Sequence, residues 1–63
     1  MSNAAHAALK SAEDSLSDVR QAFESADACR LAGRWQLERQ RVTDTRLALA
    51  QTIEHLTTLR GLI

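Results

Sequence analysis

The sequence predicts an all-α protein: an antiparallel two-helix hairpin with a tight turn at Gly33, dimerising into a four-helix bundle. Three observations predict this fold. The composition is typical of helices, two series of apolar residues repeat every seven positions, and the phase of that repeat changes at Gly33. A seven-residue apolar repeat is the pattern of helices that pack side by side.

The composition favours helix along the whole chain. The 63 residues include no proline and two glycines, Gly33 and Gly61, and they are rich in Ala, Leu, Gln, Glu and Arg. These residues are strong helix formers. We expect one domain over residues 1–63, with helix 1 at about 3–32 and helix 2 at about 35–60. Glycine readily closes a helix, so Gly33 and Gly61 are the expected helix ends.

Helix 1 has a bulky row and a small row of apolar residues. Together they read as the a and d positions of a heptad seam, and a third set of small residues flanks them at the g position. The bulky row is Leu9, Leu16 and Phe23, the small row is Ala5, Ala12, Val19 and Ala26, and the flanking set is Ala8, Ala22 and Cys29. A neighbouring helix could therefore approach closely along the small edge.

Helix 2 carries its own series, which is out of phase with the first. The repeat consists of Trp35, Val42, Leu49, Leu56 and Ile63, supported by Ile53 and Leu59. Continuing the first series through Gly33 would bury polar residues such as Asp44, Gln51 and Glu54. The offset is about two residues, which a continuous coiled coil does not absorb. The helix is therefore expected to break at Gly33.

Two helices of this size leave the core unfinished. A hairpin has one helix–helix contact, so its bulky residues keep an exposed side and the pair is marginal alone. A disulfide within the chain cannot supply the missing stability, because Cys29 is the one cysteine. We expect a second copy or a helical protein partner to complete the core. The expected core and interface residues are Leu9, Leu16, Val19, Phe23, Trp35, Val42, Leu49, Ile53 and Leu56.

Charge differs between the two predicted helices, although the net charge is zero. Through Ala32 there are three basic and five acidic residues, a net −2; the remainder has five basic and three acidic residues, a net +2. A fold at Gly33 would gather arginines near the turn and leave Glu13, Asp14 and Asp18 toward the open end, which favours packing two hairpins turn to open end. This possible nucleic-acid or acidic-partner patch is Arg30, Arg34, Arg39, Arg41 and Arg46. Interleaved Glu38 and Asp44 favour a solvated, ion-paired surface instead.

Catalytic, cofactor and metal chemistry find no support in the sequence. There is no Ser-His-Asp set, no H-E-x-x-H motif and no phosphate-binding glycine loop, so we expect a non-enzymatic protein without a cofactor. His6, Cys29 and His55 occur singly, without the short spacing of zinc ligands. No apolar run is long enough to span a bilayer, and the lone cysteine suits a reducing compartment, so we expect a cytoplasmic protein.

The segment from Arg34 to Leu59, RWQLERQRVTDTRLALAQTIEHLTTL, resembles the second helix of the small type III secretion needle co-chaperones. The shared features are a glycine-containing turn, an aromatic and Gln-rich helix start, and an Ala/Leu/Ile seam. The resemblance implies docking onto a tetratricopeptide-type chaperone, which keeps needle subunits soluble. The implied contacts are Trp35, Leu49, Ile53 and Leu56.

Three functions are consistent with these observations. The first is a protein–protein interaction module that self-associates or docks on a helical partner. The second is the secretion co-chaperone that the resemblance implies. The third is a small RNA- or DNA-binding helical dimer that uses the arginines near the turn.

Overall fold

The chain forms two long helices that lie side by side. A computed structural model describes residues 2–63, in which α1 spans Asn3–Leu31, α2 spans Trp35–Leu62 and no strand occurs. Helices of 29 and 28 residues are each about 43 Å long at 1.5 Å per residue. The molecule measures 47 × 13 × 9 Å, which is the length of one helix and the width of two. The predicted all-α hairpin is therefore confirmed.

The turn at Gly33 is closed by a complete Schellman motif. Gly33 has a φ of 71°, the left-handed conformation that glycine adopts most readily. Its N–H donates to the Arg30 carbonyl at 3.1 Å, and the Arg34 N–H donates to the Cys29 carbonyl at 2.9 Å. These two bonds satisfy carbonyls that the end of a helix leaves open. The chain reverses within three residues, so α2 returns along α1.

Replacing Gly33 with alanine should destabilise the hairpin by about 1–2 kcal/mol, the cost of a left-handed conformation for a residue with a Cβ. Apart from Gly33 itself and its two chain neighbours, no residue has an atom within 4 Å of where a Cβ would lie at this position, so the cost is conformational and not steric. Gly61→Ala is the matched control, because Gly61 is helical and its surroundings are equally open. It should be neutral or stabilising. Urea unfolding followed by circular dichroism measures the stability of both variants. A Gly33→Ala variant as stable as the wild type would contradict the left-handed conformation of Gly33.

The helix ends differ slightly from the predicted ones. α1 ends at Leu31, one residue earlier than predicted, and Ala32 is its C-cap. α2 continues to Leu62, so Gly61 lies inside the helix instead of closing it. Gly61 has no positive φ, and the left-handed conformation on which the predicted end depended is therefore missing. A glycine in the last turn is tolerated because a helix end has few bonds left to lose.

The seam between the helices consists of small side chains. Its buried residues are Ala5, Ala8, Ala12, Ser15, Val19, Ala26 and Cys29 in α1, and Thr45, Ala48 and Thr52 in α2. Alanine, serine and threonine let two helix backbones approach closely, so backbone and Cβ atoms provide most of the contact. The predicted a and d rows need correction here: in α1 the small row and its g-position flank form the seam, while the bulky row lies beside it.

The buried threonines satisfy their hydroxyl groups within α2. The Thr45 hydroxyl donates to the Arg41 carbonyl and the Thr52 hydroxyl to the Ala48 carbonyl, each at 2.9 Å. A buried hydroxyl without a partner would cost about 1–3 kcal/mol. Among the described residues, no buried side-chain nitrogen or oxygen lacks a hydrogen bond. The hydroxyl bonds leave the threonine methyl groups free to pack against α1.

Candidate interaction surface

Large apolar side chains form a continuous row on each helix outside the seam. We call their combined surface the apolar face; it consists of Leu9, Leu16, Phe23, Trp35, Val42, Leu49, Ile53 and Leu56. Apart from the half-buried Leu9, their exposed fractions run from 40% at Leu49 to 63% at Ile53. A soluble chain seldom leaves so many large apolar residues uncovered side by side.

The two rows lie on the same side of the hairpin. In α1 the bulky residues follow seam residues by four positions, as Leu16 follows Ala12, and in α2 they do the same, as Leu49 follows Thr45. Because the helices are antiparallel, rows displaced in the same sense from the seam share one side. Phe23 and Val42 accordingly line one groove.

The apolar face is built as a ladder of paired residues. Phe23 lies across from Val42 in their shared groove. Since both rows repeat every seven residues, the next pairs are Leu16 with Leu49, and then Leu9 with Leu56. Successive pairs are about 10 Å apart, seven residues at 1.5 Å each. This spacing lets another pair of helices place its side chains between these residue pairs or directly on top of them.

The other side of the hairpin is mostly polar, although Leu37 belongs to the same seven-residue row as Asp44, Gln51 and Thr58. We call it the polar face; its residues are Ser11, Asp18, Ser25, Asp44, Gln51 and Thr58. Each of these residues is half-buried or exposed. Each directly precedes a seam residue, except Thr58, which lies seven residues after Gln51. The hairpin as a whole is therefore amphipathic across its width, with one face suited to water and one to a protein surface.

The structure divides the nine predicted core and interface residues between two places. Val19 is buried in the seam, at 7% exposure. The other eight make up the apolar face. Their predicted role as an interface remains a prediction, because the structure contains one copy of the chain. The seam residues Ser15, Thr45 and Thr52 were missed by the sequence analysis, although small residues recur there at alternating spacings of three and four.

The five arginines of the predicted patch do not share one surface. Arg30 pairs with Asp27, and the hydrogen bond and charge of Asp27 raise the pKa of the Arg30 guanidinium. Arg41 pairs with Asp44 of the polar face at 3.0 Å. Arg39 and Arg46 line a groove beside the apolar face with Trp35 and Val42. Arg34 is the N-cap of α2 and makes no side-chain capping bond.

The remaining candidate residues lie apart. Cys29 is a free, buried thiol in the seam. Within residues 2–63, no group of three His, Cys, Asp or Glu side chains is placed to hold a metal ion. The part of the chain that the structure describes also has no helix long and apolar enough to cross a membrane.

Comparisons with protein-family models, curated proteins and solved structures found no match to this chain. The resemblance to secretion co-chaperones therefore depends on the sequence features named above.

Proposed function

We propose that the chain is a non-enzymatic protein–protein interaction module that packs its apolar face against the helices of another polypeptide. The observation that carries this proposal is the amphipathic width of the hairpin: eight large apolar residues on one side and polar residues on the other. Burying apolar surface is worth roughly 25 cal/mol per Å². The seam is thin and rich in alanine, so it buries little apolar area. Covering the apolar face would therefore stabilise the hairpin more than the contacts between its own two helices do.

The face also fits the co-chaperone alternative. The four contacts implied by that resemblance, Trp35, Leu49, Ile53 and Leu56, all belong to the apolar face. A tetratricopeptide-type chaperone presents helical surfaces, to which a flat apolar face of this kind could bind. In this alternative the chain binds through the same apolar face, and its partner is the chaperone.

Nucleic-acid binding is the less favoured alternative. It requires cationic side chains that converge on one phosphate path. Here Arg30 and Arg41 are paired with carboxylates of their own helices, and Arg39 and Arg46 border the apolar face. We further propose a cytoplasmic, reducing location, which suits a thiol that packs as a small apolar residue in the seam.

The proposal is tested by comparing two aspartate substitutions on α2. Leu49→Asp places a charge in the centre of the apolar face, and Gln51→Asp places the same charge two residues away on the polar face. Association is measured for the purified chain by sedimentation, and for a tagged chain by capture of proteins from extracts of the source cells. We expect Leu49→Asp to abolish association, because an unpaired carboxylate in a buried apolar contact is costly.

Gln51→Asp should associate as the wild type does. If both variants associated equally well, with the chain itself and with captured proteins, the apolar face would not be the binding surface. A salt-dependent gel shift with RNA and DNA, abolished by Arg39→Ala, would favour the nucleic-acid alternative.

A further inference from the structure

We infer that the polypeptide covering the apolar face is a second copy of this chain, with α1 of each copy on α2 of the other and both turns at the same end. This inference rests on the proposed function and names the partner of that surface. Area, geometry and charge support it in turn.

The apolar face has the size that a stable dimer needs. Its backbone footprint of 47 by 13 Å is about 600 Å², and protruding side chains enlarge it towards the roughly 800 Å² per partner of a standard interface. The flat, straight shape of a hairpin makes the face self-complementary, since a second copy has the same length and the same 10 Å spacing of paired residues. Such pairs of hairpins form four-helix bundles.

Two hairpins placed face to face with parallel axes can meet in two ways. Either the turns lie at the same end and α1 packs on α2 of the second copy, or the turns lie at opposite ends and each helix packs on its own counterpart. Both are two-fold symmetric. The opposite net charges of the two helices favour the first.

Charge in this chain differs more between the two helices than between the two ends of the hairpin. The five acidic and three basic residues through Ala32 all lie in α1 and give it a net −2, whereas α2 with Arg34 has a net +2. By contrast, the half of the hairpin nearer the turn, residues 17–48, contains six basic and five acidic residues, a net +1. The expected turn-to-open-end packing matched the arginines near the turn with Glu13, Asp14 and Asp18 toward the open end, but the charge difference between the two helices is the larger one.

Packing α1 on α2 therefore brings opposite charges together. Asp27 of one copy, which is paired with Arg30 of its own helix, comes to the same height as Arg39 of the second copy at the edge of the apolar face. The turn-to-open-end alternative instead brings Arg46, near the middle of α2, towards Arg46 of the second copy, and brings Glu13 towards Arg20 of the second copy. Complementary charges select an arrangement more than they strengthen it.

Two further contacts bear on the same arrangement. Arg30 occupies the position seven residues after Phe23, across from Trp35, so in the proposed dimer each Arg30 lies over Trp35 of the second copy. Arginine over an indole ring is a favourable contact, and it would cover a Trp35 that is 62% exposed in the single hairpin. Arg20 comes near Arg46 of the second copy, a like-charge contact that Glu24, 3.7 Å from Arg20, partly offsets.

The test measures mass and the distance between the turns. The full chain carries Cys29→Ser and Leu31→Cys, and a spin label is attached at residue 31, which is exposed and outside the apolar face. We expect a sedimentation mass of twice 7.0 kDa. The expected label separation is below about 30 Å, against about 40 Å or more if the turns lie one helix length apart.

A label at Ala50→Cys, near the middle of α2, is the control, since it should give a short distance in either arrangement. A dimer with turns about 40 Å apart would overturn the proposed arrangement. A chain that stays monomeric at about 100 μM, a concentration at which even micromolar affinities give dimer, would overturn the second copy as partner. If that monomer still captured a protein that Leu49→Asp failed to capture, the proposed function would stand without this inference.

Discussion

Replacing Ala48 with leucine should lower the free energy of unfolding by about 3 kcal/mol, the upper part of the range for overpacking a close-packed contact. Ala48 is 8% exposed and lies between the buried Thr45 and Thr52 in the seam. The residues of α1 that face it are small too, so a leucine side chain finds no space unless the helices separate. Separation would break the close contact along several turns of both helices.

Ala50→Leu is the matched control for this substitution. It makes the same exchange in the same helix, two residues away, at an exposed position. Helix propensity is changed equally in both variants, and surface substitutions usually stay within about 0.5 kcal/mol. Urea unfolding followed by circular dichroism compares the two. An Ala48→Leu variant as stable as Ala50→Leu would show that the seam has room to spare.

The loss is large relative to the whole stability of the molecule. Domains of this size seldom gain more than about 3–5 kcal/mol from one core. A leucine at position 48 would remove most of that stability, so the variant should be largely unfolded at low protein concentration. The same small seam that lets the helices approach leaves little apolar area buried inside the single hairpin.

The hairpin itself was predictable from the sequence because its determinants are local. Gly33 is the residue that a left-handed helix end prefers, and the change of heptad phase on its two sides excludes a continuous rod. The absence of proline and the high content of helix formers account for the rest. The end at Leu62 was harder to predict, since the last turn of a helix can continue past a glycine at little cost.

The choice of seam was less predictable, for a reason that lies in α2. Its seam positions include Thr45 and Thr52, which are not strongly apolar, and the half-buried Arg41. A search for apolar periodicity therefore finds Val42, Leu49 and Leu56, the row beside the seam. The signal that would have distinguished them is side-chain size: alanine, serine and threonine alternate at spacings of three and four where helices approach most closely.

The bulky rows were recognised, but one chain does not reveal what they contact. A seven-residue repeat of leucines is the same pattern whether the neighbouring helix belongs to the same copy or to another molecule. Here the distinction needs the rotation of each helix about its axis, which tertiary packing sets. Val19 belongs to the seam and Leu16, three residues earlier, belongs to the apolar face, although both are aliphatic.

Leu16→Ala should destabilise the associated protein by about 2–4 kcal/mol for each copy, the cost of truncating a leucine in a buried core. In the single hairpin Leu16 is 57% exposed, so most of this loss must come from contacts with another polypeptide. The substitution removes apolar area without adding a charge, and alanine keeps the helix propensity of α1 high. The expected result is a lower midpoint of thermal unfolding that falls further on dilution.

Leu47→Ala provides the control, because Leu47 is 60% exposed and lies on the outer surface of α2, away from both the seam and the apolar face. The two leucines are nearly equal in exposure within the hairpin, so a calculation on the single chain would assign them similar costs. We expect Leu47→Ala to change stability by less than about 0.5 kcal/mol. Equal and small effects at both positions would mean that the face around Leu16 stays in water. Truncating a leucine destabilises a protein only in proportion to the contacts that the leucine makes.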